Sequence, residues 1–144
     1  MQTVLKMESR AIWSADRFFD LLQTFSRMRV ILKTGPSVFE ALCAPGAYSI
    51  QGHFLNVITP EYHWHLDVSR FGFLQSSDEI HARSGRRVLF FSLSEKKGDD
   101  RPFLQIYLYR GPGEEFDPQI ESGFMRAHEE LQSGVWLSRG ENAS

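Results

Sequence analysis

The sequence predicts an α+β fold in which an antiparallel β-sheet is flanked by an N-terminal and a C-terminal helix. Three observations support this prediction. Apolar residues behind Ser14 follow helical spacing, and the middle of the chain consists of short strand-like segments separated by Gly and Pro turns. Near the end, Asp117 and Pro118 form a strong helix-start signal.

The first helix is predicted to begin at Ser14. A serine is a preferred N-cap, and Asp16 in the first turn complements the helix dipole. One apolar stripe follows at helical spacing, formed by Phe18, Leu21, Leu22, Phe25 and Met28. We expect this helix to cover one face of the sheet.

The central strands are short and bounded by turn residues. Strands are predicted over 30–33, 48–58, 62–68, 71–75 and 80–82, whereas 38–42 fits either a strand or a helix. Gly52 is predicted to make a bulge or bend inside its strand. The polar residues Ser76–Asp78 are predicted to form a turn, as are Gly35-Pro36 and Gly85.

The last part of the sheet gives the clearest strand pattern. Arg87–Ser94 and Phe103–Arg110 predict an antiparallel hairpin, joined by the polar loop 95–102 that contains Gly98-Asp99. Gly111-Pro112-Gly113 ends the sheet. A final helix, ended by Gly134, is predicted from Asp117 onward with a stripe formed by Ile120, Phe124, Ala127, His128 and Leu131.

Composition indicates a single globular domain over 1–144, with frayed ends at 1–12 and 138–144. Hydrophobic residues make up 42% of the 144 residues and charged residues 24%. The net charge is −2, from 16 basic and 18 acidic residues, so neither nucleic acid nor an anionic membrane is a favoured partner. A single thiol, Cys43, cannot form an internal disulfide and is interpreted as structural. No apolar stretch reaches membrane-helix length and residues 1–10 do not resemble a signal peptide, so we expect a cytoplasmic protein.

Histidines supply the most promising functional pattern. His63 and His65 lie two residues apart on a predicted strand, so their side chains leave the same face, while Trp64 points the other way. Such a pair can chelate a metal or line a pocket, and His53 joins them if the two neighbouring strands pair. The alternative is a polar, solvent-facing strand surface on which the histidines have no special role.

Arginines cluster at Arg83, Arg86 and Arg87 around one turn. Guanidinium groups bind carboxylates and phosphates well, although such a cluster also occurs on ordinary solvated turns. The sequence contains no Gly-x-Ser-x-Gly elbow, Walker loop or dinucleotide fingerprint. The motifs therefore give no positive sign of an enzyme, and the enzyme question stays open with a non-catalytic protein favoured.

The run from His63 to Leu131 resembles the HutX/ChuX family of intracellular haem-utilisation proteins. The resemblance rests on three segments: the strand HWHLDVSRFGFLQSS, the hairpin RVLFFSLSEKKGDDRPFLQIYLYRG and the helix FDPQIESGFMRAHEEL. It covers about half of the chain closely and about two-thirds loosely.

The resemblance implies a strongly bent antiparallel sheet with flanking helices, often paired through the sheet into a homodimer. It also implies intracellular haem binding for carriage or hand-over, with a histidine on the iron. By position, His65 is the best match to the family's histidine, and His53 matches a second one on the preceding strand.

The neighbouring residues fit that chemistry. Haem would be held by His53, His65 and His63, with an apolar wall from Phe54, Trp64, Phe71 and Phe73 and propionate partners among Arg83, Arg86 and Arg87. Two alternatives remain: a non-haem metal-binding enzyme that uses His53, His63 and His65, and a sheet-mediated dimerisation module without a small ligand.

Overall fold

The computed structural model describes residues 13–70, 72–97 and 101–138. Two helices, α1 (Ala15–Leu22) and α2 (Pro118–Leu131), and a 3-10 turn at Val68–Arg70 accompany nine strands in these residues. The strands are β1 (Met28–Thr34), β2 (Ser37–Cys43), β3 (Tyr48–Gln51), β4 (Phe54–Ile58), β5 (His63–Asp67), β6 (Phe73–Ile80), β7 (Arg87–Ser94), β8 (Leu104–Leu108) and β9 (Val135–Trp136).

The strands form two antiparallel sheets. The larger sheet has six strands in the order β2-β1-β8-β7-β6-β9, and the smaller has three in the order β3-β4-β5. The predicted α+β class, with antiparallel strands between an N-terminal and a C-terminal helix, is confirmed. Because the strands divide between two sheets, β2 and β5 each end a sheet and have an open edge.

Helix α1 begins where the sequence predicts but ends earlier. The Ser14 hydroxyl accepts a hydrogen bond from the Arg17 backbone N–H at 3.1 Å, which caps the first turn. The helix ends at Leu22, so Phe25 and Met28 are buried beyond it in the connection and in β1. Four of the five residues of the predicted apolar stripe are buried and Leu21 is partly buried, but only the first three are helical.

The hairpin of β1 and β2 settles the ambiguous segment 38–42 as a strand. Gly35 and Pro36 form the two-residue turn between the paired residues Thr34 and Ser37. Gly35 has φ = +52°, in the left-handed region that glycine adopts without steric cost. Pairing along the whole of β1 then fixes β2 as an edge strand.

The single strand predicted over 48–58 is two strands. Gly52 has φ = +61° and, together with His53, forms the turn of a β3–β4 hairpin in which Gln51 pairs with Phe54. The prediction of a bulge or bend was wrong because the chain reverses direction at this glycine. The predicted return strand over 62–68 is confirmed as β5, which pairs with β4.

The polar turn predicted at Ser76–Asp78 is wrong, since β6 runs through it. Ser76 is buried, and its hydroxyl lies 2.6 Å from Nδ1 of His128, while Asp78 receives two hydrogen bonds from Arg87. These polar side chains find partners in the fold and need no turn. The strand predicted over 80–82 is absent because β6 ends at Ile80 and the chain turns over residues 81–85.

The predicted β7–β8 hairpin and closing helix are confirmed. Strand β7 pairs with β8 in antiparallel register, and the Asp117 carboxylate accepts hydrogen bonds from the backbone N–H groups of Gln119 and Ile120 at 2.9 and 3.2 Å. Two features were missed: β9 pairs with β6, and Ser138 is held by backbone hydrogen bonds with Trp13 and Ala15. Ser138 is therefore not part of a frayed tail.

Helix α1 packs between the two sheets. Phe18 contacts Phe91 of β7 edge-on at 5.2 Å between ring centroids, and Phe19 contacts Trp64 of β5 at 5.5 Å. Helix α2 packs on the same large sheet through Phe124, whose ring lies 5.0 Å from that of Phe91. The core thus joins both helices and both sheets around these aromatic rings.

Some predictions concern residues outside the described ranges. These are the frayed segment 1–12, Phe71 of the proposed apolar wall, the loop residues Gly98-Asp99 and the end of the chain after Ser138. The single-domain assignment stays a prediction. Within the described ranges no helix has the length and apolar character needed to cross a membrane.

Candidate functional site

His63 and His65 lie on the exposed face of the three-stranded sheet, as the two-residue periodicity predicts. Their rings are 6.1 Å apart between centroids and nearly perpendicular. Nδ1 of His65 lies 2.7 Å from Oδ1 of Asn56, the residue directly opposite on β4. Because a carboxamide oxygen only accepts hydrogen bonds, this contact places the proton on Nδ1 and leaves the Nε2 lone pair free.

His53 occupies the β3–β4 turn and has a different partner. Its Nδ1 lies 3.0 Å from Oδ1 of Asp67, and its ring contacts that of Phe54 at 4.5 Å between centroids. The pKa of Asp67 is lowered, first by the hydrogen bond from the Ser69 hydroxyl and further by His53. His53 is thus engaged at one nitrogen by a carboxylate.

The three histidines do not form one metal centre. In the part of the chain that the structure describes, no group of three or more His, Cys, Asp or Glu side chains is arranged to hold a metal ion. The alternative of a non-haem metalloenzyme built on His53, His63 and His65 therefore lacks the geometry it requires.

A cleft of about 660 Å³ lies between strands β1 and β2 of the larger sheet and the start of β5 with the loop that precedes it. We call it the intersheet cleft. Its lining is mainly apolar and includes Val30, Leu32, Phe39, Ala41, Leu42, Cys43, Ala44, Pro45 and Trp64. Polar groups come from Arg27, Thr59, Glu61, Tyr62 and His63. This combination of an apolar lining with a few polar groups is typical of small-molecule sites.

Phe39 and Trp64 give the intersheet cleft an aromatic character. Phe39 is 62% exposed on the edge strand β2, an unusual exposure for a phenylalanine outside a binding surface. Trp64 points inward from β5, packs on Phe19 and borders the cleft. At one end of the cleft, the Tyr62 hydroxyl donates a hydrogen bond to the Ala44 carbonyl at 2.8 Å. Burial raises the pKa of the neighbouring Cys43 thiol. A protonated thiol here acts as a small apolar group.

The arginine cluster lies elsewhere. Arg87 is bound by Asp78 through two hydrogen bonds of 2.9 Å and by Glu121, and these carboxylates raise its pKa. Arg86 donates to the Gly111 carbonyl at 3.3 Å and, with Arg87, lines a separate concave surface of about 520 Å³ over the exposed face of the six-stranded sheet. Arg83 is exposed and lines neither cavity.

The predicted aromatic wall is not assembled in one place. Trp64 borders the intersheet cleft, whereas Phe54 is 41% exposed on the opposite side of the three-stranded sheet beside His53. Phe73 belongs to the six-stranded sheet, where its ring packs against Trp136 at 5.4 Å between centroids. Of the described members of that wall, only Trp64 borders the intersheet cleft.

Several cleft residues escaped the sequence reasoning. Phe39, Ala41 and Cys43 alternate along β2 and share one face, which is a weak signal of a strand with one apolar side. No local sequence pattern marks Leu32 or Arg27 as binding residues, because the cleft forms only when the folded chain brings β1, β2 and β5 together.

Comparison with known proteins identifies the fold. No family model matches the chain, and no curated protein matches it in sequence. Among solved structures, a crystal structure of ChuX superposes with a TM-score of 0.67 at 14% identity, covering 81% of this chain and 71% of ChuX. The chain has a ChuX-like fold. A second structure, described as the haem-binding protein ChuX, gives 0.66 at 13% identity over 80% and 70% of the two chains.

Larger proteins contain the same ChuX-like fold. Holo-PhuS, a haem-binding protein from Pseudomonas aeruginosa, has a TM-score of 0.61 at 15% identity, with 78% of this chain and 32% of PhuS covered. ChuS, described as an E. coli haem oxygenase, gives 0.63 at 15% identity over 77% and 33%. The chain thus spans about a third of these two proteins. At such identities the likeness concerns the fold and not the chemistry of a site.

Proposed function

We propose that this protein binds haem in the intersheet cleft, ligates the iron through a histidine and carries haem without transforming it. The observation that carries the proposal is the ChuX-like fold, shared with proteins described as haem-binding, together with an apolar cleft bordered by an imidazole. The proposal follows the resemblance of the 63–131 segment to the HutX/ChuX family.

The shape and chemistry of the cleft support a flat apolar ligand. Its volume of about 660 Å³ falls in the usual range for small-molecule and cofactor sites. Phe39 and Trp64 would pack against the porphyrin faces or edges, since aromatic rings prefer offset stacked or edge-on contacts. The aliphatic side chains Val30 and Leu32 would shield it from water on the β1 side.

His63 is the proposed iron ligand. It lines the cleft. His65, the residue favoured by the family resemblance, leaves the same face of β5 but does not line the cleft and has its Nδ1 held by Asn56, and His53 lies in a turn beside Asp67. A neutral imidazole is a good axial ligand for haem iron and, when bound, supplies the bond that retains it. His65 is the second candidate because its Nε2 is available.

Arg27 is the proposed propionate partner. It lines the cleft, and its guanidinium lies 5.3 Å from the centre of the Tyr109 ring, with no carboxylate of the described residues paired to it. Arg87 is unsuitable because Asp78 and Glu121 already bind its guanidinium. Charge-assisted hydrogen bonds from Arg27 would hold one carboxylate of the porphyrin at the rim.

The proposed role is carriage in the cytoplasm by a homodimer. Supporting the dimer, the outer face of the six-stranded sheet carries the half-buried ring of Tyr107, stacked on the buried ring of Phe90 at 4.4 Å between centroids. The same face carries two basic residues of β1, Arg29 and Lys33, and one acidic residue each on β2 and β6, Glu40 and Glu79. Two copies can therefore pair opposite charges across a two-fold axis. Light scattering should give twice the 16.6 kDa chain mass.

Haemin titration tests the function. We expect the purified chain to bind haemin at micromolar concentration with a shifted Soret band, and the H63A variant to lose the shift and at least tenfold in affinity. H65A serves as the matched control, because it removes the neighbouring imidazole of the same strand. Phe39→Ala should weaken binding without changing the Soret position, since it removes packing but no ligand.

The outcomes separate the possibilities. Loss of the Soret shift in H65A and not in H63A would move the haem to the exposed face of the three-stranded sheet. Absence of any binding at micromolar haemin contradicts the proposed function. A stable dimer without haemin binding, and without a haemin-dependent rise in melting temperature, would leave the ligand-free sheet-mediated module as the function.

A further inference from the structure

We infer that His63 and His65 together bind one divalent first-row transition-metal ion, Cu²⁺ in preference to Zn²⁺, on the exposed face of the three-stranded sheet. This site is separate in kind from the proposed haem function, because it needs no porphyrin and no apolar cleft. It rests on the position of two imidazoles and one amide on the neighbouring strands β4 and β5.

The spacing of the two rings suits a shared ion. Both residues are exposed and leave the same side of β5, and their ring centroids are 6.1 Å apart. Two imidazoles that bind one metal through nitrogen, at about 2.0–2.1 Å, place their centroids roughly 4.5 Å apart at a right angle and roughly 6 Å apart on opposite sides of the ion. A small change in side-chain torsion therefore brings both rings onto one ion, with no movement of the strand.

Asn56 prepares His65 for this role. Its amide oxygen lies 2.7 Å from Nδ1 of His65, which places the proton on Nδ1 and directs the Nε2 lone pair outward. Ligating histidines usually donate their second N–H to such an acceptor, which fixes the tautomer and the ring orientation. His63 has no hydrogen-bond partner among the described residues, so its ring is free to turn towards the ion.

The two-histidine donor set determines the class of ion. His53 does not complete the set, because its Nδ1 is engaged by Asp67 and no group of three suitable side chains exists in the described residues. Water would fill the remaining positions, as an exposed site allows. Imidazole donors suit copper and zinc, and the general order of affinities places Cu²⁺ above Zn²⁺.

Copper titration of haem-free protein tests the inference. Protein made without a histidine tag is titrated with Cu²⁺ in a calorimeter, and the complex is examined by electron paramagnetic resonance. We expect one ion per chain and hyperfine structure from two imidazole nitrogens. H63A and H65A should each lower the affinity at least tenfold and remove one of the two nitrogen couplings.

Matched variants exclude general binding to surface histidines. H53A and H81A remove the other exposed imidazoles and should leave the stoichiometry, the affinity and the spectrum unchanged. Asn56→Leu should lower the affinity for Cu²⁺ about tenfold, which is the usual effect of removing the hydrogen-bond acceptor of a ligating histidine. Rescue by N56D, which restores an acceptor oxygen, would distinguish orientation of the ring from loss of folding.

The inference is overturned if the H63A/H65A double variant still binds Cu²⁺ with the wild-type affinity, or if H53A has as large an effect as H65A. It is also overturned if the spectrum shows a single imidazole nitrogen. Because no haemin is present, none of these results depends on the haem proposal, and a protein that binds Cu²⁺ but not haemin is a distinct outcome. If both proposals hold, Cu²⁺ should compete with haemin for His63.

Discussion

The two sheets of this protein differ in how completely their side chains are buried. In the six-stranded sheet, the face turned towards the helices is closed on the central strands β7 and β8. Five side chains there have no solvent exposure: Leu89, Phe91, Leu93, Leu104 and Ile106. Helix α2 covers this face through Phe124, which is also fully buried. Such a face contributes stability and offers no access to a ligand.

The three-stranded sheet also has one buried face, but that face is less completely closed, since Leu66 stays 8% exposed. Leu55, Val57 and Leu66 turn inward, while the opposite face carries exposed His63 and His65. Its edge strand β5 also borders the intersheet cleft. The difference places the exposed histidines on the small sheet, whereas the central strands of the large sheet are closed and only its β1–β2 end borders the cleft.

Phe91→Ala should have the largest effect on stability. Phe91 is fully buried and contacts Phe18, Phe25 and Phe124, so truncation leaves a cavity shared by α1, α2 and β7. We expect a loss of about 3–5 kcal/mol in the free energy of unfolding, measured by urea denaturation. Phe54→Ala is the control on the exposed face of the small sheet, and it should change the stability by less than about 0.5 kcal/mol. Equal losses would remove the contrast between the closed face of the large sheet and the exposed face of the small one.

Leu55→Ala tests whether the small sheet opens separately. Leu55 is fully buried in β4, and its removal should cost about 2–4 kcal/mol, with Ile58→Ala, 60% exposed on the same strand, as control. We expect hydrogen exchange to accelerate over β3–β5 while the amides of β7 and β8 keep most of their protection, as for a local cooperative unit. Uniform acceleration over all nine strands would mean that both sheets open together.

The sequence predicted those parts of the fold that depend on local signals. Asp117-Pro118 begins α2, Gly35-Pro36 turns the first hairpin, and the apolar alternation of β7 and β8 fixes their pairing. The sequence analysis divided β6 by a turn, because polar residues in the middle of a segment are typical of an exposed turn. Ser76 meets His128, 52 positions further on, and Asp78 meets Arg87, so only the folded chain supplies their partners.

The candidate site was predictable to a similar extent. Period-two alternation placed His63 and His65 on one face, which the structure bears out. The cleft was not predictable, because it forms near the end strands of two different sheets. Nothing in the local sequence around Leu32 or Phe39 indicates that β2 is the last strand of its sheet. The fold likewise separates Arg87 from the cleft by pairing it with Asp78 and Glu121.

Asp117→Ala should have a moderate effect on the large-sheet side. The carboxylate caps two backbone N–H groups at the start of α2, and loss of an N-cap costs about 1 kcal/mol. For a domain of this size, that corresponds to a fall of roughly 3–6 °C in melting temperature. D117N retains an acceptor and should stay close to wild type. A full loss in D117N would show that charge, and not capping, is responsible.

The smallest effect concerns two carboxylates, one in each sheet. The pKa of Asp78 is lowered, chiefly by its hydrogen bonds with Arg87, so its stabilisation is present above the unfolded pKa of about 3.9 and is lost as the pH falls through the lower folded pKa. The difference in unfolding free energy between wild type and D78N should therefore be largest near neutral pH and shrink below about pH 4.

Asp67→Asn is the matched change in the small sheet. The pKa of Asp67 is also lowered, but its first partner is the neutral Ser69 hydroxyl, whereas Arg87 brings a full positive charge to Asp78. Denaturation curves from pH 7 to pH 2 should give a smaller and flatter difference for D67N than for D78N. Asp78 connects β6 to the start of β7 through Arg87, which also binds Glu121 of α2, whereas Asp67 connects only the β3–β4 turn to its own sheet. If D78N and D67N changed the unfolding free energy equally at every pH, the contact of Arg87 with α2 would add no stability.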